Sequence, residues 1–322
     1  MRDHGGNLDT AIAEFGGAPG DWIDLSTGIN PRPFPVPELS ARAWTALPTK
    51  ADLAALTETA ARAFGTTAPM VPLAGAQAAI QLMPQLAMRG RARVLGPTYN
   101  EHAASLRQSG WRVETVETLS ALEGADLAVV VNPNNPDGQR HTPTDLRNLA
   151  RATGLLIIDE SFAEPHPGLS VAPHLTKDTR GIVVLRSFGK FFGLAGLRLG
   201  FAIGGEANIA KLAEMAGPWP VSGAAVQIGL AAYADETWRG RTINRLASDA
   251  ERLDGLAARA GWVVKGGTTL FRLYDTGDAV ATQRQLAHHH IWSRVFPYSK
   301  GWMRLGLTDG DANWARLEKA LT

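Results

Sequence analysis

The sequence predicts an α/β protein with a mainly parallel central sheet, helices on both faces and a smaller α+β domain after it. Three observations carry this. Residues 127–131 (LAVVV), 155–158 (LLII) and 182–185 (IVVL) are short continuous apolar runs, the pattern of strands buried on both faces. Each run stops abruptly at polar, proline or glycine residues, so each strand ends in a turn. Helical stretches separate the runs, and such alternation implies parallel strands joined by right-handed crossovers.

Composition narrows the function classes. The chain has 322 residues, 45% hydrophobic and 20% charged, enough for one large core and a smaller lobe. A net charge of +1 gives no electrostatic case for nucleic acid or a membrane surface as partner. The absence of cysteine excludes disulfides and thiolate metal sites and is compatible with a reducing compartment. No apolar run approaches the ~20 residues of a membrane span and no signal-peptide core is evident, so the chain is expected in the cytoplasm.

Residues 1–37 read as an N-terminal arm. His4-Gly5-Gly6-Asn7 places a glycine pair, which lets backbone approach a ligand, between two polar side chains. Residues 23–25 lead into Ser26-Thr27-Gly28-Ile29-Asn30-Pro31, and the proline-rich 31–37 favours an extended crossing. Residues 38–64 read as largely helical, with Leu53, Leu56, Ala60 and Phe64 on one face, and open a large domain over 38–216.

The chemistry-bearing residues follow at strand ends. Residues 70–74 run into Gly75-Ala76-Gln77 and a helix over 78–88. Strand, glycine turn and helix start make an anion site, because first-turn amides lack helical partners and the dipole favours negative charge. A strand at 93–95 ends in Gly96-Pro97-Thr98-Tyr99. Strand 127–131 ends in Asn132-Pro133-Asn134-Asn135-Pro136-Asp137-Gly138, a turn whose amides can bond a phenolic oxygen. Asp159 follows 155–158 at once, where ligands of open α/β sheets bind, and a carboxylate there suits a cationic ring nitrogen.

After 182–185 come Ser187, Lys190 and Arg198. A lysine in a turn is ordinarily a solvated surface group. Among apolar and glycine neighbours its amine becomes a nucleophile through desolvation, and its commonest covalent use is a Schiff base with a carbonyl cofactor. The planar fork of Arg198 and the Ser187 hydroxyl suit a phosphate dianion. Beyond Gly205 the chain turns helical, and 217–222 (GPWPVS) breaks the pattern and begins the smaller domain, 217–322. Leu230, Leu246, Leu253 and Leu256 read as core. His288-His289-His290 is a poor metal site, since consecutive helical residues diverge, and a solvated face is expected.

NPNNPDG, LLIIDESF and RSFGKFFGLAGLRLGF together resemble the pyridoxal-phosphate-dependent fold-type I aminotransferase superfamily, in the branch holding histidinol-phosphate aminotransferases and threonine-phosphate decarboxylases. The resemblance runs over nearly the whole chain. It implies the fold-type I architecture and pyridoxal 5′-phosphate carried on Lys190, with Asp159 on the ring nitrogen, Tyr99 stacked on the ring and Asn135 on the 3′-oxygen. It puts Gly75, Ala76, Gln77, Ser187 and Arg198 around the cofactor phosphate.

Further implications concern the substrate. HGGN followed by STGINP resembles the opening of threonine-phosphate decarboxylases, whose arm covers the active site and holds the substrate's phosphate, which implies His4 and Asn30 as substrate contacts beside Asn135. Arg304, in GWMRLGL, resembles the arginine that grips an α-carboxylate, and Trp219 is expected at the pocket. Phe162 stands where many aminotransferases carry a tyrosine bonding the 3′-oxygen, a departure that favours a decarboxylase. Leu47-Pro48 replaces a Tyr-Pro pair whose tyrosine reaches a neighbouring subunit's cofactor, which puts that contact in doubt while a homodimer remains implied. The reaction implied is decarboxylation of L-threonine O-3-phosphate to (R)-1-aminopropan-2-ol O-2-phosphate, a supply step in cobalamin biosynthesis. The shared motifs also fit transamination of histidinol phosphate with 2-oxoglutarate. A ligand-sensing regulator on this fold is disfavoured by the lack of a basic patch.

Overall fold

The computed structural model describes residues 5–321, and the chain divides by contact into two compact units. The larger comprises residues 34–135 and 140–238 and is built on a seven-stranded sheet. Its strand order is Met70–Leu73, Gly200–Gly204, Ile182–Ser187, Leu156–Asp159, Leu127–Val131, Arg91–Leu95 and Arg112–Val116. The last five are mutually parallel, and Gly200–Gly204 runs antiparallel to both of its neighbours. All five residues of Leu127–Val131 are buried, as a strand covered on both faces requires. Val94, Leu127, Val129, Ile157, Val183 and Leu185 pack in one core with Ile80, Met83, Leu106 and Leu212 from helices.

Helix boundaries follow local chemistry. The segment expected to be helical over 38–64 is two helices, Arg42–Thr45 and Lys50–Phe64, because Pro48 interrupts it and Thr49 caps the second. Thr49 Oγ1 accepts from Asp52 N while the Asp52 carboxylate accepts from Thr49 N, a reciprocal cap. Leu56, Ala60 and Phe64 are buried along one face, and Leu53 is half-buried. The helix expected over 78–88 starts two residues earlier, as Ala76–Leu82, and tightens into a 3-10 turn at Met83–Gln85 around Pro84.

Residues 217–238, expected with the smaller domain, lie in the larger unit. The reason is packing: Tyr233, on the helix Gly223–Ala234, is ringed by Phe64, Phe188, Phe192 and Phe201 at 5.1–5.8 Å between centroids. Trp238 stacks on Phe192 at 5.6 Å and 12°. Phe188, one of these rings, opens the helix Phe188–Phe191 that carries Lys190, so the cluster anchors that helix.

The smaller unit holds residues up to Pro33, 136–139 and 239 onward. Its four-stranded antiparallel sheet has the order Arg294–Phe296, Ser299–Gly306, Phe271–Asp275, Val263–Thr268. A short parallel pair, Ile23–Asp24 with Ile291–Trp292, ties the arm to this unit. The histidine run takes part in that attachment: His288 packs edge-on against Phe15 at 5.3 Å, and His290 lies 4.9 Å from Trp22. His288 stays exposed, as expected of a solvated face, while His290 is half-buried against Trp22.

Candidate active site

In the larger unit one cavity is lined by Ala76, Gln77, Tyr99, Asn135, Asp159, Phe162, Ser187, Lys190 and Arg198. The sheet explains the convergence. Asp159 and Ser187 end adjacent parallel strands, and Tyr99 and Asn135 follow the carboxyl ends of the next two, so all project past the same sheet edge. Lys190 sits two residues into the short helix after its strand, half-buried, with Nζ 5.8 Å from the Phe162 ring centroid.

Asp159 is 3% exposed. Its Oδ2 lies 2.8 Å from His102 Nε2, and its Oδ1 accepts from Ser161 N at 2.9 Å and Ser161 Oγ at 2.5 Å. Burial is the largest influence on its ionisation and opposes it. The bond and charge of His102, with the two Ser161 bonds, outweigh burial and hold the carboxyl below its usual range. His102 is fully buried, its Nδ1 has no hydrogen-bond partner among the described residues, and sequence reasoning missed it. Its spacing of three from Tyr99 across a helix start was the available signal.

The anion end of the cavity is shaped by glycine. Gly75 has φ +79°, a backbone state that L side chains rarely adopt, and a Cβ there would lie 2.8 Å from Arg198 Nη2, which shows how closely the guanidinium packs against this turn. A Cβ on Gly200 would lie 2.6 Å from Ala76 N, which presses the antiparallel strand directly onto the helix start. Arg198 is exposed and holds φ +56°, an unusual backbone state for a non-glycine residue, with Nη1 donating to Ala195 O at 3.1 Å. The Gln77 side chain is engaged elsewhere: Oε1 accepts from Tyr99 Oη at 3.2 Å and Nε2 donates to Glu101 at 3.3 Å.

Pyridoxal 5′-phosphate, which the motifs imply, fits this donor set. The cavity offers an amine, a buried ionised carboxylate, an aromatic face and a glycine cradle against an arginine, which are the groups needed for an aldehyde, a ring nitrogen, a ring face and a phosphate. Trp219 is not among the cavity-lining residues; it is 53% exposed and borders a separate apolar groove with Leu47 and Pro48.

Asn30 and Arg304 belong to the smaller unit, and His4 lies outside the described residues. Asn30 is 2% exposed, its Oδ1 accepting from Arg245 Nη2 at 2.7 Å and Arg32 N at 3.0 Å. Arg304 is buried, donates from Nη2 to Ser26 O at 2.5 Å, and stands directly across the strand pair from Arg294. Burial first, then the Arg294 charge, lowers its pKa to about 10. Like charges directly opposed on a sheet are destabilising, so this pair is suited to an anion that relieves the repulsion. Arg294 also lines a small cavity with Gly5, Asn7, Ser26 and Ser293, where the buried Ser293 hydroxyl has no hydrogen-bond partner among the described residues. Arg294 was missed because its opposition to Arg304 depends on hairpin register.

Comparison with known proteins agrees with this chemistry. The family model for aminotransferase class I and II matches residues 21–320. A threonine-phosphate decarboxylase of Pseudomonas aeruginosa is 40% identical, covering 100% of this chain and 97% of the relative. One of a Sinorhizobium species is 42% identical, over 99% and 97%. The crystal structure of histidinol-phosphate aminotransferase from Sinorhizobium meliloti in complex with pyridoxal 5′-phosphate superposes with a TM-score of 0.85 at 20% identity, covering 98% of this chain and 93% of that one. At that identity the likeness concerns the fold. The chain belongs to the aminotransferase class I and II family.

Proposed function

We propose that this protein is a pyridoxal-phosphate-dependent decarboxylase of L-threonine O-3-phosphate that forms (R)-1-aminopropan-2-ol O-2-phosphate for cobalamin biosynthesis. The observation that carries the reading is 40–42% identity to two threonine-phosphate decarboxylases over essentially full length. The arginine pair and the cavity at the arm, lined by Gly5, Asn7, Ser26 and Arg294, support a substrate that is anionic at two ends. No helix among the described residues is long and apolar enough to cross a membrane. The enzyme is proposed to work in the cytoplasm as a homodimer.

Each residue has a stated task. When bound, the cofactor supplies the electron sink that accepts the pair left as the substrate carboxylate departs as carbon dioxide. Lys190 would hold the cofactor's aldehyde carbon, and its amine, once the substrate's own amine has displaced it, would deliver a proton to substrate Cα, completing the exchange of carboxylate for hydrogen. Asp159, ionised and fixed by His102 and Ser161, accepts the hydrogen bond of the ring N–H. Tyr99 covers a ring face, and Asn135 donates to the 3′-oxygen, a bond Phe162 cannot make. Arg198, Ser187 and the amides of residues 75–77 hold the cofactor phosphate. Arg304 takes the substrate carboxylate, while Arg294, Asn30 and His4 hold its phosphate. Clamping both substrate ends orients the bond to be broken.

The test is to supply cofactor-loaded protein with L-threonine phosphate and no keto acid. Catalytic release of carbon dioxide with an amine phosphate product is the expected result. No release, together with amino transfer from histidinol phosphate to 2-oxoglutarate, overturns the proposal.

A further inference from the structure

Two turns of the larger unit present cofactor-facing side chains, and one side chain fastens them together. Tyr99 follows the turn Gly96-Pro97-Thr98, and Asn135 follows Asn134; both Tyr99 and Asn135 line the Lys190 cavity. Asn134 does not line it. Its carboxamide instead engages the neighbouring turn twice: Thr98 Oγ1 donates to Asn134 Oδ1 at 2.6 Å, and Asn134 Nδ2 donates to Pro97 O at 3.0 Å. The strands feeding the two turns, Arg91–Leu95 and Leu127–Val131, are adjacent in the sheet, but their ladder pairing stops at Val94 and Val129. Beyond that point the carboxamide takes over the cross-link. Asn134 is 7% exposed, so neither bond competes fully with water.

We propose that Asn134 and Thr98 are positioning residues that set the spacing between the ring-stacking Tyr99 and the 3′-oxygen donor Asn135. The inference rests on the cofactor placement proposed above. Tyr99 is held at its far end by Gln77 through the hydroxyl, and the Thr98–Asn134 bond holds its backbone end. A shift of either turn moves a ring face and a donor relative to one another, and a bound planar group cannot satisfy both if they drift apart. Neither Thr98 nor Asn134 lines the Lys190 cavity; the pair acts through its two neighbours in sequence.

The test uses cofactor-loaded protein without substrate, so failure of the decarboxylase reading would leave it intact. Thr98→Val removes only the hydroxyl. The expected result is about 3–10-fold weaker pyridoxal phosphate binding and a raised pH midpoint of its visible absorption, since a poorly placed Asn135 no longer favours the deprotonated 3′-oxygen. Thr98→Ser should restore both. Asn134→Ala should weaken binding similarly, and the Thr98→Val/Asn134→Ala double variant should be no worse than Asn134→Ala alone. Wild-type affinity and midpoint in Thr98→Val, or a double variant whose losses add, would overturn the proposal. A bond that serves only the fold would lower the thermal midpoint of the cofactor-free protein and leave the absorption midpoint in place, which also overturns it.

Discussion

His102 enters the site from the first turn of the helix Glu101–Gln108, and its Nε2 is paired with the Asp159 carboxylate that lines the Lys190 cavity. Replacing it with phenylalanine keeps the volume and removes a charge-assisted bond of about 1.5–3 kcal/mol. Pyridoxal phosphate binding at neutral pH is then expected to weaken about 10–100-fold. The pH dependence has a definite sign. The pKa of Asp159 is depressed in the folded protein, so its ionised form contributes stability above the ordinary carboxylate value of 3.8, and that contribution is lost as pH falls through the depressed value. In His102→Phe the still-buried carboxyl protonates at higher pH, and the acid limb of the turnover profile should move upward. An acid limb that coincides with wild type would show that His102 does not tune Asp159. Sequence placed Lys190, Asp159 and Asn135 at or a few residues past the ends of strands whose both-faces-buried pattern is unmistakable, and the structure brings all three to one cavity. His102 and Arg294 were not legible in it, because each matters through a partner that only tertiary register supplies.

At the scale of elements, the antiparallel strand Gly200–Gly204 and the helix Ala76–Leu82 meet with no room for a side chain. A Cβ at Gly200 would fall 2.6 Å from Ala76 N, 2.7 Å from Gly75 C and 2.8 Å from Arg186 O, all backbone atoms that cannot rotate away. Overpacking costs about 1–3 kcal/mol, and here it falls on the Gly75-Ala76 turn proposed to hold the cofactor phosphate. Gly200→Ala should therefore bind pyridoxal phosphate about tenfold more weakly while keeping its far-UV circular dichroism; unchanged affinity would show that the turn absorbs the shift. The reversed direction of this strand was not legible, since GFAIG reads alike either way and its pairing is settled by the neighbours Met70–Leu73 and Ile182–Ser187. The split of the helical segment 38–64 also turned on one local cap. There the bond from Arg42, then those from Thr49 N and Oγ1, lower the pKa of Asp52 to about 2. Its folded pKa is depressed, so the stabilisation is present above about 4 and lost as pH falls through the folded value. The stability difference between wild type and Asp52→Asn should be constant from neutral pH to about 4 and vanish near 2; a difference that persists unchanged below pH 2 would refute the cap.

For the whole molecule the open question is what covers its apolar surface. Trp44, Leu47 and Trp219 are 71%, 60% and 53% exposed, and Leu47 and Trp219 border a groove walled by Pro48, Leu53, Val71 and Pro72. Trp219 also keeps a left-handed backbone at φ +57°, a conformation that costs about 1–3 kcal/mol for a non-glycine residue and persists only where surroundings enforce it. Large exposed apolar side chains beside an apolar groove mark an association surface more often than a solvated one. The near-neutral net charge of +1 offers little long-range repulsion between copies. A second copy of the chain is the occupant proposed here, consistent with the homodimer proposed for the enzyme. Sedimentation of the wild-type protein should then give twice the 34.4 kDa chain mass at micromolar concentration. The Trp44→Glu/Leu47→Glu double variant, altered at two exposed positions, should sediment as a monomer with unchanged far-UV circular dichroism. If the wild type is itself monomeric and turns over at full rate, the groove has no second copy to receive and the site is complete within one chain.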